Sequence, residues 1–183
     1  MNKKAFLLFL LLTPLIVIVS STLAFRFGFG PEATKNNGIF FNEFTDITGM
    51  EISSTKNYEL NFEDGKWVIG IYHSNEGRTL ENSRLMKQLN VALNRDINRM
   101  KRIIFFEAKP EESLIKNIEN DFPRQEIFID TKSGFKDLLL KTSEEPIISS
   151  SYIFIIDPYG RLVMFFPNDL TPKKILKDLK VLI

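Results

Sequence analysis

Few residues of this chain could carry chemistry. Its 183 residues include no cysteine and one histidine, His73. Without a thiolate, the chain has neither the nucleophile of disulfide exchange nor the soft ligand that Cu(I) prefers. His73 would need neighbours such as Glu76 or a methionine to complete a metal coordination sphere, so a residual site at His73 and Glu76 is the most that metal chemistry could be. Ser149, Ser150 and Ser151 supply hydroxyls. The sole histidine would have to serve as their base, and no glycine-flanked nucleophile turn surrounds them. Glu111-Glu112 and Glu144-Glu145 read as solvated charges, the first pair favourably placed at a helix N-terminus. No glycine-rich phosphate loop follows a strand. No catalytic residue is assigned, and no enzymatic activity or cofactor is expected.

Composition sets the frame for these residues. With 44% hydrophobic and 26% charged residues, the chain can bury a full core and carry an appendage. Lysine plus arginine, 24, nearly cancels aspartate plus glutamate, 23, and the two signs are interleaved. A stripe of positive charge is absent, so nucleic acid is not an expected partner.

The N-terminus predicts an anchor over residues 1–25. After Lys3 and Lys4, an uncharged run from Ala5 to Phe25 is long enough as a helix to cross about 30 Å of hydrocarbon. Pro14 is tolerable there because lipid offers the backbone no alternative partners. The two lysines precede the run, which favours a cytoplasmic N-terminus and a single pass with the remainder outside. Thr22-Leu23-Ala24 faintly resembles a cleavage site, so a cleaved signal peptide competes with the anchor; the length of the run favours the anchor.

Residues 26–38, rich in Gly, Asn and Pro, read as a tether, and one domain is expected over 39–183. Phe27, Phe29, Phe40, Phe41 and Phe44 cluster near the anchor. Packing on the domain is the plainest role for them, and Phe40 and Phe41 are also candidate contacts for a partner.

Within the domain, Tyr58–Phe62 and Trp67–His73 predict a β-hairpin around Glu63-Asp64-Gly65-Lys66. Leu85, Met86, Leu89, Ala92, Leu93, Ile97 and Met100 predict one amphipathic helix, with Thr79 as its cap. A strand at 103–106, a helix ending near Phe122-Pro123, a strand at 126–129 and a short helix opened by Ser133 follow. Strands at 152–156 and 162–166 flank the turn Asp157-Pro158-Tyr159-Gly160, and Thr171-Pro172 opens a last helix.

This order is that of an α/β thioredoxin-like fold, with an added N-terminal β-hairpin and one preceding transmembrane helix. Gly65-Lys66-Trp67-Val68-Ile69 and the stretch Tyr152–Leu162 resemble segments of the Sco (SenC) copper chaperones of cytochrome c oxidase. The anchored layout, Leu85-Met86-Lys87-Gln88 and Lys177-Asp178-Leu179 resemble a Sco-related transmembrane protein of bacterial oxidase clusters. The resemblance implies a bacterial inner-membrane protein with a periplasmic domain, and oxidase subunits or assembly factors as partners. It also places the family's copper ligands on Asn75, Thr79 and Ser149. Neutral oxygens stand there in place of sulfur and imidazole, so no bound metal is expected. The reading is a non-catalytic protein that assists oxidase assembly or stability by contact. An envelope binding module unrelated to respiration and a residual metal carrier are the alternatives.

Overall fold

The structure, a computed structural model, describes residues 3–26, 36–43, 45–56 and 58–183. These fall into two compact units, Met1–Asn36 and Asn37–Ile183. In the first, the apolar run forms the helix α1, Lys3–Arg26, with Pro14 inside it. Thr13 and Thr22 donate their hydroxyls back to the carbonyls of Phe9 and Ile18, so neither hydroxyl needs an outside partner. Leu10, Leu11, Leu15, Ile16 and Ile18 are exposed. Among the described residues, no helix is long and apolar enough to cross a membrane. The side chains of residues 5–8 and 25, which flank the run from Phe9 to Ala24, lie outside the described ones.

The second unit is built on a seven-stranded mixed sheet. Its strands are β1 (Ile39–Phe40), β2 (Ile52–Ser54), β3 (Trp67–Tyr72), β4 (Met100–Phe106), β5 (Gln125–Asp130), β6 (Ile153–Ile156) and β7 (Leu162–Phe166). They lie in the order β1-β7-β6-β3-β4-β5-β2. β3, β4 and β5 are parallel, joined by the helices α2 (Glu76–Ala92) and α3 (Glu112–Asp121). After α4 (Gly134–Thr142) the chain returns antiparallel through β6 and β7, and it ends in α5 (Pro172–Leu182). A parallel pair needs a crossover and an antiparallel pair only a turn, which is why helices separate β3, β4 and β5 and Asp157–Gly160 suffices between β6 and β7.

Alternation along the strands sorts the core into two layers. Ile69, Ile71, Ile104, Ile127, Ile155 and Phe166 face α2, α3 and α5. Val68, Tyr72, Phe105, Phe128, Phe154 and Phe165 face α4 and the N-terminal segment. Gly70 sits where Phe154 and Phe105 press on β3; a Cβ there would lie 2.8 Å from the Phe154 ring.

Three expectations need correction. The hairpin of Tyr58–Phe62 with Trp67–His73 does not form: β3 pairs with β4 and β6, and Tyr58–Leu60 turns back on β2 through Ser54 N–H to Tyr58 C=O and Leu60 N–H to Ile52 C=O. The turn is present, with Gly65 at φ 63°, but a buried apolar strand gains more between two core strands than beside a polar neighbour. The single helix from Leu85 to Met100 is really α2, a 3₁₀ turn over Asn94–Arg99, and the start of β4. Asn94 is left-handed (φ 55°), and the Asn90 amide donates to the carbonyls of Ile97 and Met100, which fixes that break. Last, the folded unit starts at Asn37, inside the expected tether. Asp178 of α5 accepts from the backbone N–H groups of Asn37 and Gly38, and Gly38 is buried against Phe166, where a Cβ would clash at 2.5 Å.

Candidate functional site

The junction of β3 and α2 is where the sequence places its chemistry. His73 continues the ladder by donating its backbone N–H to Phe105 C=O at 2.8 Å. Asn75 is extended (φ −153°, ψ 158°), and its side-chain oxygen accepts from Arg78 N–H at 2.9 Å. It is thus the N-cap of α2, the role expected of Thr79. Thr79 lies one turn inside the helix, wholly buried, and shares a hydrogen bond of 2.8 Å with His73 Nδ1. The imidazole stacks on Phe106 with ring centroids 4.5 Å apart. Burial holds the His73 pKa below the ordinary imidazole value, and the nearby Glu76 charge opposes this in part.

The loop before β6 closes the junction from the other side. Ser151, buried and left-handed (φ 48°), shares a hydrogen bond of 2.6 Å with Ser74 and donates to Tyr72 C=O at 3.2 Å. Asn82 of α2 donates to Ser151 C=O at 2.7 Å, and Asn75 donates to Ser74 Oγ at 3.2 Å. Ser149 is exposed, and no hydrogen bond joins it to Asn75 or Thr79 among the described residues. Of the three positions on which the resemblance placed ligands, Asn75 caps a helix, Thr79 holds a histidine ring, and Ser149 stands apart. The residues that actually meet are Ser74, Asn82 and Ser151. The serine run 149–151 was the only signal for this in the sequence, and it did not say which hydroxyl turns inward.

Beside the junction lies an open cleft of about 540 Å³, lined among others by His73, Ser74, Glu76, Phe106 and Glu107. His73 and Glu76 therefore share one wall. The Glu107 carboxylate is engaged by Lys136 at 2.8 Å through both oxygens, and the Lys136 hydrogen bond is the main cause that lowers its pKa. Among the described residues, no three His, Asp or Glu side chains gather closely enough to hold a metal ion. One His73 nitrogen is already engaged by Thr79, the ring is half-buried, and Glu76 is exposed. The cleft is lined by polar and charged side chains, among them His73, Ser74, Glu76 and Glu107.

The aromatic pair near the N-terminus divides. Phe40 is 45% exposed, whereas Phe41 is 6% exposed and packs on Phe165 with ring centroids 5.2 Å apart. The expectation of Phe41 as a partner contact is corrected: Phe41, just after the edge strand β1, packs its ring into the core against Phe165, while Phe40 stays on the surface. Phe27, Phe29 and Phe44 lie outside the described residues.

Solved structures share this fold at low identity. Copper-bound ScoI from Bradyrhizobium japonicum is 14% identical, with a TM-score of 0.53 over 80% of this chain and 99% of that one. Copper-bound Sco1 from yeast is 13% identical, with a TM-score of 0.55 over 80% and 91%. BsSco, described as a member of the Sco family of cytochrome c oxidase assembly proteins with a disulfide switch, is 12% identical, with a TM-score of 0.52 over 78% and 92%. No curated protein matches the sequence. The transmembrane-like, thioredoxin-like, C-terminal domain family matches residues 78–183, a span that starts in the first turn of α2 and includes β4 to β7 and α5. Since this match covers more than half of the chain, the protein belongs to the transmembrane-like, thioredoxin-like, C-terminal domain family.

Proposed function

We propose that this chain is a membrane-anchored thioredoxin-like protein without thiol or copper chemistry, acting by protein contact in the assembly or stability of a respiratory cytochrome oxidase. One observation carries the inactive half of this reading. At the β3–α2 junction, Asn75 and Thr79 spend their polar atoms on the helix cap and on His73, so the junction is braced by structure in place of being open for chemistry. The uncharged run 5–25 and the family's transmembrane-like description support an anchor in a bacterial inner membrane, N-terminus cytoplasmic and domain periplasmic. The oxidase context rests on the Sco likeness.

The test is purification of the tagged full chain from membranes in mild detergent. Oxidase subunits or assembly factors should co-purify, and copper should be absent at stoichiometric levels. Recovery without any oxidase component would remove the assembly role; tightly held Cu(I) would remove the inactive reading.

A further inference from the structure

A second cavity lies at the other end of the parallel strands, away from His73. It holds about 250 Å³ and is lined by residues at the N-terminal ends of β3, β4 and β5, among them Lys66, Lys101, Arg102, Arg124 and Glu126. Arg102 is only 4% exposed. Its Nη2 donates to Pro123 C=O at 2.9 Å, while its Nη1 has no partner among the described residues, and no carboxylate forms an ion pair with it. Gln125, the register partner of Arg102 on the parallel neighbour β5, is buried on the same sheet face with neither amide atom partnered.

The charge around this cavity is unbalanced. Against four cations stand two carboxylates: Asp64, which is engaged by Lys101 at 3.3 Å and Lys66 at 3.6 Å, and Glu126, which accepts from Tyr58 at 3.0 Å. Arg102 and Arg124 line the same cavity, and neither forms an ion pair among the described residues. Burial, and after it the repulsion of Arg124, lower the Arg102 pKa. A buried guanidinium with a free donor edge is costly until an acceptor completes it, and its planar fork fits the oxygens of an oxyanion. Two guanidinium groups lining one cavity suit a doubly charged tetrahedral anion better than a single carboxylate.

We infer that this cavity binds a small oxyanion of the phosphate class, seated on Arg102 with Arg124 as the second cation. The anion could be free phosphate or the phosphate monoester of a lipid headgroup, and both present the same oxygens. This site is independent of the role proposed for the β3–α2 junction.

Trp67, the only tryptophan, follows Lys66 and pairs in register with Met100, so its fluorescence reports on this end of the sheet. The full chain in a neutral detergent is titrated with inorganic phosphate, acetate and dihexanoyl phosphatidic acid at constant ionic strength, which removes simple screening. Phosphate should give a saturable Trp67 change and raise Tm, and acetate should bind at least about tenfold more weakly. Arg102→Met should abolish the response, and the exposed Arg124→Gln should weaken it on the order of tenfold. Phosphatidic acid binding tighter than phosphate identifies a headgroup as the ligand; equal or weaker binding identifies the free ion. No saturable response in the wild type, or an unchanged response in folded Arg102→Met, overturns the site. Should Arg102→Met fail to fold, an unchanged affinity in Arg124→Gln does so.

Discussion

The hydroxyls of Ser74 and Ser151 lie 2.6 Å apart, joining the end of β3 to the loop before β6 across 77 residues of sequence. Through Ser151 the same loop is bonded to Tyr72 C=O and to Asn82, so three segments meet at one buried hydroxyl residue. Replacing Ser151 with alanine removes both hydroxyl bonds and keeps a side chain at a positive φ. Unfolding in urea should show a loss of about 1–2 kcal/mol. Glycine at the same position should cost less, because it relaxes the left-handed backbone while losing the same bonds. Equal losses for the two variants would show that φ at this position carries no strain.

Stability should fall as pH drops through the ordinary imidazole value, about 6.5. His73 is depressed in the folded protein, chiefly by burial, so the unfolded chain takes up its proton first. The stability linked to His73 is therefore complete above that value and is lost as pH falls toward 5. Thermal unfolding of the wild type across pH 5 to 8 should show the decline, and His73→Gln should flatten it. A slope that survives the substitution would assign it to other groups.

Asp130, 1% exposed at the end of β5, accepts from Tyr72 OH at 3.2 Å, from Phe135 N–H at 3.3 Å and from Lys136 N–H at 2.8 Å. This carboxylate caps α4 in place of Ser133, whose side chain makes no cap bond. Asp130→Ala should cost about 3 kcal/mol, since it orphans a buried phenol and two helix amides at once. Tyr72→Phe should cost about 1 kcal/mol, and a double-mutant cycle should return a coupling of roughly 0.5–3 kcal/mol. Additive effects would mean the two groups do not share the bond.

Phe40 and Phe41 separate surface from core. Phe41→Ser should cost about 3–5 kcal/mol by emptying the space against Phe165, whereas Phe40→Ser should stay within about 0.5 kcal/mol. If Phe40 contacts a partner, its serine variant should lose co-purifying protein while melting like the wild type. Retention of the full complement of partners in that variant would leave Phe40 as an ordinary exposed aromatic.

Legibility in the sequence followed the range of the forces involved. The strands at 103–106 and 162–166, the stop of α3 at Phe122-Pro123 and the turn Asp157–Gly160 are local matters of periodicity, proline geometry and turn chemistry, and each stands where the residues place it. β1 and β2 were not legible, because strands of two and three residues have no period of their own and exist only through β7 and β5. Asn75 rather than Thr79 caps α2 because a cap is chosen by which residue leaves the strand in extended geometry.

By itself the sequence determined the chemistry that is absent: with no cysteine and one histidine, no arrangement of the chain can create a thiolate or a second imidazole. It also determined the alternation of strands and helices, since hydrophobic period acts over neighbouring residues. Only the tertiary structure decided that Ser151 and not Ser149 meets Ser74, that Phe41 is core and Phe40 surface, and that Arg102 is buried beside Arg124. These are relations between segments far apart in the chain, set by strand order and register, and no local pattern encodes which side chains those will bring face to face.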